Sequence, residues 1–208
     1  MNANEVDILF NEAANLFEQG SFKEAEQHCH NLCSTYPSHA PTVSLMGAIL
    51  CQTNRAEVGV KFIEKATELA PNEPTYFNNL GVGYTNLKRF EDALCAFQRA
   101  IALDPDNPNT HNNIGAVLRP MGRLKEAAKH YAIAADIAPD SAQIWANYAN
   151  VLMDLDQISK AKIAAEKAAA IDPEYPLAHN NLGTVLQRQG KYSAAEASYR
   201  SALALRPD

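Results

Sequence analysis

The chain has 208 residues, an apolar fraction of 47% and a formal net charge of −6. This composition is typical of a folded soluble protein, and its acidic balance argues against general binding to nucleic acid or anionic membranes. The sequence has no apolar stretch long enough to cross a bilayer, no secretory signal and no disulfide-type cysteine spacing, so we expect a cytoplasmic protein.

A period of 34 residues runs through the chain, as in the step from Pro37 to Pro71 (71 − 37). The proline column comprises Pro37, Pro71, Pro105, Pro139, Pro173 and Pro207. Two columns of small residues share the period: Ala25, Gly59, Ala93, Ala127, Ala161 and Ala195, and Ala13, Gly47, Gly81, Gly115, Ala149 and Gly183. We therefore expect a leader at residues 1–5 and six repeats, at 6–39, 40–73, 74–107, 108–141, 142–175 and 176–208.

Each repeat is predicted to form two helices joined by a turn. In the third repeat, Phe77, Leu80, Gly81 and Tyr84 mark one helical face, and Phe90, Ala93, Phe97 and Ala100 mark a second. The region Asn86–Lys88 supplies the turn there, and Gly20, Gly122 and Gly190 supply it in other repeats.

In the fourth repeat, a proline lies near each end of the first helix. Asn107 is expected to cap this helix, and Pro108 fits its first turn, where a missing N–H costs nothing. Pro120 is expected to shorten or kink the same helix near its end.

Alanine and glycine in the small-residue columns let paired helices approach closely, and bulky residues fill the remaining space. No repeat can bury its apolar face alone, so neighbouring repeats must stack. The sequence therefore predicts an all-α protein, an α-solenoid of six helix-turn-helix units.

These columns resemble those of the tetratricopeptide repeat (TPR) family over residues 6–208. The clearest copies are NNLGVGYTNLKRFEDALCAFQRAIALDP at 78–105 and HNNLGTVLQRQGKYSAAEASYRSALALRP at 179–207. Departures are Glu12 in the first repeat, and Val43, Met46 and Gly59 in the second. The resemblance implies a right-handed superhelix and a protein–protein interaction scaffold, with a peptide or partner protein held in a concave groove lined by the first helices.

Asparagines dominate the expected groove positions of the first helices. The sixth position of successive repeats reads Asn11, Leu45, Asn79, Asn113, Asn147 and Asn181. The groove prediction also includes Asn78, Asn112, Asn150 and Asn180. A carboxamide both donates and accepts, so a column of them can hold the main chain of an extended peptide with little regard for its side chains.

The sixth-position column resembles the asparagine ladder in the repeat region of O-linked N-acetylglucosamine transferases. Asn79, Asn113, Asn147 and Asn181 match it, Asn11 matches more weakly, and Leu45 interrupts it. Two interpretations stay open for the amides, peptide binding and local hydrogen bonding. Two also stay open for the protein: a free-standing scaffold, or the substrate-docking N-terminal arm of a larger glycosyltransferase-like enzyme, truncated here.

Other site chemistries are not expected. A clamp for a peptide carboxylate needs grouped basic residues, whereas only Arg119 and Arg188 lie near the groove edge, offset by Glu18 and Asp154. The string HCHNLC at 28–33 suggests packing cysteines more than a metal site. No catalytic motif occurs, so we predict no enzymatic activity, no cofactor, no metal, and no nucleic-acid or membrane partner.

The last repeat ends at Pro207 and Asp208 without a polar capping helix. Tyr199, Ala202 and Leu203 would then be partly bare. We expect either that the native protein continues, which we favour, or that two copies associate through this uncapped C-terminal repeat.

Overall fold

The computed structural model describes residues 3–206, and side chains from Glu5 onward. Within that part the chain forms helices and no strand. The helices are α1 (Ala3–Glu18), α2 (Phe22–Thr35), α3 (Ala40–Gln52), α4 (Ala56–Leu69), α5 (Pro74–Asn86), α6 (Phe90–Leu103), α7 (Pro108–Leu118), α8 (Leu124–Ile137), α9 (Ala142–Asp154), α10 (Ile158–Ile171), α11 (Pro176–Arg188) and α12 (Tyr192–Leu205). The all-α prediction is confirmed. Met1 and Asn2 of the expected leader, and Pro207 and Asp208 of the last repeat, lie outside the described residues.

The chain divides into two compact units, Met1–Pro105 and Asp106–Asp208. Each unit holds three helical hairpins, α1–α6 in the first and α7–α12 in the second. Within each unit every helix packs on the next one, and the odd-numbered helices also pack on each other in order. We call the odd-numbered helices the first helices and the even-numbered ones the second helices. This stacking within each unit is that of a repeat solenoid, in which hairpins bury their apolar faces on their neighbours.

The turn inside each hairpin contains one residue with a positive φ angle. Gly20, Gly122 and Gly190 have φ values of 77°, 73° and 74°. The equivalent residues of the other three repeats are Asn54, Lys88 and Asp156, with φ values of 59°, 58° and 58°. A left-handed residue ends the first helix and redirects the chain, so the 34-residue period imposes this conformation even where the residue is not glycine.

Glycine in the first helix faces a large side chain in the second helix of the same hairpin. A Cβ built on Gly81 would lie 2.5 Å from the Phe97 ring, and one on Gly115 would lie 2.8 Å from Tyr131. The same column holds alanine where the facing residue is small, and Ala149 and Ala165 lie together in one core cluster. In each of these hairpins, a small residue of the first helix faces a side chain of the second helix, and their combined volume is nearly constant. This keeps the two helices of the hairpin close.

Proline and capping residues set the ends of α7. Asn107 accepts a hydrogen bond from the Thr110 backbone N–H at 3.1 Å, and Pro108 is the first helical residue. The helix has 11 residues, whereas α5 and α9 have 13. It ends two residues before Pro120, which has no backbone N–H to continue the helical hydrogen bonds. The predicted cap and the predicted shortening are both confirmed.

Candidate peptide-binding faces

Three sixth-position asparagines make hydrogen bonds from one repeat to the preceding one. Asn79 Nδ2 donates to Ser44 Oγ at 3.3 Å in the first unit. In the second unit, Asn147 Nδ2 donates to Asn112 Oδ1 at 2.9 Å and Asn181 Nδ2 donates to the Ala146 carbonyl at 2.9 Å. In all three cases the acceptor is the fifth residue of the previous repeat, 35 positions back. These amides therefore join neighbouring first helices, as the local-bonding interpretation requires.

The remaining amides of the predicted groove differ in exposure. Asn181 is 2% exposed and Asn112 is 8% exposed, so both are buried. Half-buried residues are Asn78, Asn79, Asn113, Asn147 and Asn150, and exposed ones are Asn11 and Asn180. In the part of the chain that the structure describes, the carboxamides of Asn11, Asn150 and Asn180 have no hydrogen-bond partner. Among the predicted residues, these three offer complete amides to a ligand.

The sequence contains a signal for these inter-repeat bonds that the groove interpretation missed. The fifth position carries Ser44, Asn112 or Ala146 immediately before the repeats whose sixth residue makes the bond. A small or polar residue there lets the neighbouring amide reach an acceptor. Phe10, by contrast, precedes Leu45, and that junction has neither donor nor acceptor side chains at these positions.

A second set of contacts joins the C-terminal ends of neighbouring first helices. Asn86 Nδ2 donates to the Cys51 carbonyl at 3.3 Å, and Arg188 Nη1 donates to the Met153 carbonyl at 3.0 Å. Arg119 is paired with Asp154, which raises the pKa of the guanidinium through their hydrogen bond. Both groove-edge arginines are thus engaged between repeats, which is unfavourable for a carboxylate clamp.

The first unit contains a cavity of about 520 Å³ between its first helices. Apolar side chains from all three helices line it: Phe10 and Phe17 from α1, Leu45 and Ala48 from α3, and Tyr76 and Val82 from α5. Polar lining residues include Ser44, Gln52, Glu73, Thr75 and Asn79. We call this cavity the unit 1 groove. Burial, and after it the Glu73 carboxylate, raises the pKa of Tyr76.

The two cysteines of the histidine-rich stretch of α2 pack in the core of the first unit, whereas His30 is exposed. Cys29 is fully buried beside Ala13 and Ala25, and this burial raises the pKa of its thiol to about 12. Cys33 is half-buried. Among the described residues, no group of three or more His, Cys, Asp or Glu side chains is arranged to hold a metal ion. The packing role predicted for Cys29 agrees with its position.

Family models identify the class of this protein. A TPR repeat model matches residues 83–122, and tetratricopeptide repeat models match residues 118–180 and 176–208. The chain belongs to the tetratricopeptide repeat family, and this membership supports a role as a protein-interaction scaffold. No curated protein matches the chain.

Solved structures agree on the fold. The hetero-tetramer Cut9–Hcn1 of the APC/C has a TM-score of 0.86 at 16% identity, covering 98% of this chain and 40% of that chain. PilF of Pseudomonas aeruginosa has a TM-score of 0.83 at 15% identity, covering 97% of this chain and 92% of that chain. YrrB, described as a TPR protein with an unusual peptide-binding site, has a TM-score of 0.65 at 18% identity, covering 86% and 93%. At these identities the likeness concerns the fold alone, and none of the comparisons favours the transferase alternative.

No helix within the described residues is both long and apolar enough to cross a membrane.

Proposed function

We propose that this chain is a protein-interaction scaffold that binds an extended segment of a partner protein along the first helices of its units. The observation that carries the proposal is the pair of unpartnered carboxamides in the second unit, Asn150 on α9 and Asn180 on α11. These two helices pack directly on each other. A backbone that ran across them would meet two groups able to bind its N–H and C=O together.

The inter-repeat bonds support this proposal by making the face rigid. Asn147 and Asn181 fasten α7, α9 and α11 to one another through hydrogen bonds of 2.9 Å. Arg188 and the Arg119–Asp154 pair fasten the other ends of the same helices. A ligand therefore meets amides on preordered helices, which lowers the entropic cost of binding. In this proposal the asparagines have two roles: Asn147 and Asn181 of the sixth position order the face, and Asn150 and Asn180 at neighbouring positions bind.

Panning a phage-displayed library of random peptides of about 12 residues against the full chain tests the proposal. The tightest peptides are synthesised, and their dissociation constants are measured by isothermal titration calorimetry. At least one class of peptides should bind Asn150→Ala/Asn180→Ala roughly tenfold or more weakly, because two hydrogen-bonding groups worth about 1 kcal/mol each are lost.

The matched control is Ser159→Ala/Ser193→Ala, which removes two exposed polar groups from the second helices α10 and α12. Its affinity should equal that of the wild type. Failure to select any peptide, or equal weakening by both double variants, would contradict binding on the first helices.

A further inference from the structure

The two units present different chemistry on their first helices. The second unit exposes amides there, whereas the first unit has the apolar unit 1 groove, located where Leu45 interrupts the asparagine column. Phe10 occupies the fifth position of its repeat, which holds Asn112 and Asn180 in the second unit. We infer that the unit 1 groove is a separate docking site for a basic segment of a partner protein that carries one large apolar side chain. This inference rests on the proposed function and specifies its ligand.

The size of the groove suits one large side chain. Its volume of about 520 Å³ falls within the range of roughly 300–1,000 Å³ that ligand pockets usually have. Phe10, Leu45 and Val82 come from three different helices and all line it. An aromatic or leucine side chain placed there would bury apolar surface against all three helices at once, which is how an interface anchor gains its affinity.

Polar groups in the groove can orient the ligand backbone. Asn79 uses its Nδ2 group to donate to the buried Ser44 hydroxyl, and its carbonyl oxygen stays available as an acceptor. Thr75 adds an exposed hydroxyl at the side of α5. A few polar groups beside an apolar cavity fix the orientation of a ligand without supplying most of the affinity.

Charge on the first helices of this unit has one sign. α1 carries Glu5, Asp7, Glu12 and Glu18, and neither it nor α3 or α5 carries a lysine or arginine. Glu73 caps α5 and lines the groove directly. In the second unit, the first helices carry Asp154 and Arg188, which balance, and Arg119 directly follows α7. The field at the unit 1 groove therefore attracts lysine or arginine and repels an acidic segment.

Two acidic residues come from the chain on either side of α3, Asp7 one turn before the groove-lining Phe10 and Glu73 in the groove lining itself. Asp7 is three residues before Phe10, whose ring packs edge-on against His39 at 5.8 Å, and the Asp7 carboxylate lies 3.7 Å from that histidine. Glu73 is the second acidic residue, and it lines the groove. Since Asp7 belongs to α1 and Glu73 precedes α5, acidic groups are present on both sides of α3. We therefore expect basic residues on both sides of the apolar anchor in the ligand sequence.

Peptides that the full chain selects from the phage-displayed library test the ligand chemistry inferred for the unit 1 groove. A class of selected peptides should carry one tryptophan, phenylalanine or leucine, with lysine or arginine within about three residues on each side. Leu45→Asn, which introduces a polar group into the groove, should weaken this class about tenfold or more. Asp7→Asn/Glu73→Gln should weaken it about threefold or more and reduce the loss of affinity that added salt causes.

Controls separate the groove from general effects. Glu57→Gln/Glu68→Gln removes two exposed carboxylates from α4, a second helix, and should leave the affinity unchanged. Thermal melts monitor folding of Leu45→Asn, and the charge variants, which alter exposed or half-buried side chains, give an independent answer if that variant is unstable.

The outcomes distinguish this inference from the proposed function. Selected peptides that are weakened by Asn150→Ala/Asn180→Ala but by neither groove variant would overturn the inference and leave the proposed function standing. Peptides without an apolar anchor or with acidic flanks, weakened by Leu45→Asn, would overturn the assigned ligand chemistry. Failure to select any peptide would overturn both.

Discussion

Adding one methyl group at Gly81 should destabilise the first unit. A Cβ there would lie 2.5, 2.6 and 2.7 Å from three atoms of the Phe97 ring, and Phe97 is 1% exposed, so its ring has no open space to enter. Overpacking of this kind costs about 1–3 kcal/mol, whereas Gly→Ala inside a helix gains about 1 kcal/mol. Gly81→Ala should therefore lower the free energy of unfolding by up to about 2 kcal/mol, although helix propensity alone predicts an increase.

In the fifth repeat, the positions equivalent to Gly81 and Phe97 hold Ala149 and Ala165, which lie in one core cluster. Introducing the same pair as Gly81→Ala/Phe97→Ala removes the ring that the new methyl group would meet. Phe97→Ala alone should cost about 3–5 kcal/mol. In that background, Gly81→Ala should raise stability by about 1 kcal/mol. The coupling energy between the two sites is then about 1–3 kcal/mol.

The wild type, the two single variants and the double variant form a double-mutant cycle. The free energy of unfolding of each is measured by urea unfolding, followed by far-UV circular dichroism. If Gly81→Ala changed stability by the same amount in both backgrounds, the argument from constant volume between the two columns would be refuted. Gly20→Ala is a useful contrast, because a Cβ at Gly20 meets nothing within 4 Å and its cost arises only from the positive φ of 77°.

Single substitutions at Lys88, Asn181 and His130 test the backbone, the hydrogen bonds and the titration of the chain. Lys88→Gly should raise the free energy of unfolding in urea by about 1 kcal/mol, because Lys88 has a φ of 58°, which glycine adopts without strain. Asn181→Ala should lower it by about 1–1.5 kcal/mol in the same assay, since a buried hydrogen bond to the Ala146 carbonyl is lost. The pKa of His130 is lowered from 6.5, first by burial and then by the adjacent His111. The unfolded chain therefore binds the proton more readily, and stability should decrease as the pH falls below about 6.5. Melting temperatures measured against pH should show this decrease, and His130→Gln should reduce it.

Periodicity in the sequence was sufficient to predict the helices and their turns. The column through Gly20, Gly122 and Gly190 identifies the left-handed turn positions by chemistry. Asn54, Lys88 and Asp156 adopt the same backbone conformation only because they occupy equivalent places. Asn107 and Pro120 likewise acted as local signals, and the structure confirms their effects on α7.

The asparagine column was predictable as a pattern, but the partners of its amides were not. Helical spacing assigns residues to faces, and it predicts groove positions for Asn147 and Asn181. Whether an amide binds a ligand or a neighbouring helix depends on the distance between helices and on the side chain opposite. Asn181 is 2% exposed because α9 packs closely enough for its Nδ2 to reach the Ala146 carbonyl.

The apolar lining of the unit 1 groove was not predicted, because residues distant in sequence create it. In the sequence, Leu45 interrupts a polar column, and Phe10 and Val82 belong to two other repeats. The structure brings all three to one cavity.

The sequence by itself determined the helical hairpins, their period and the family, since local spacing and small-residue columns repeat six times along the chain. Only the tertiary structure decided which asparagines are occupied between repeats, which remain open, and where an apolar cavity forms. The physical reason is that these properties arise from contacts about one repeat apart, and their geometry depends on how each helix packs against the next.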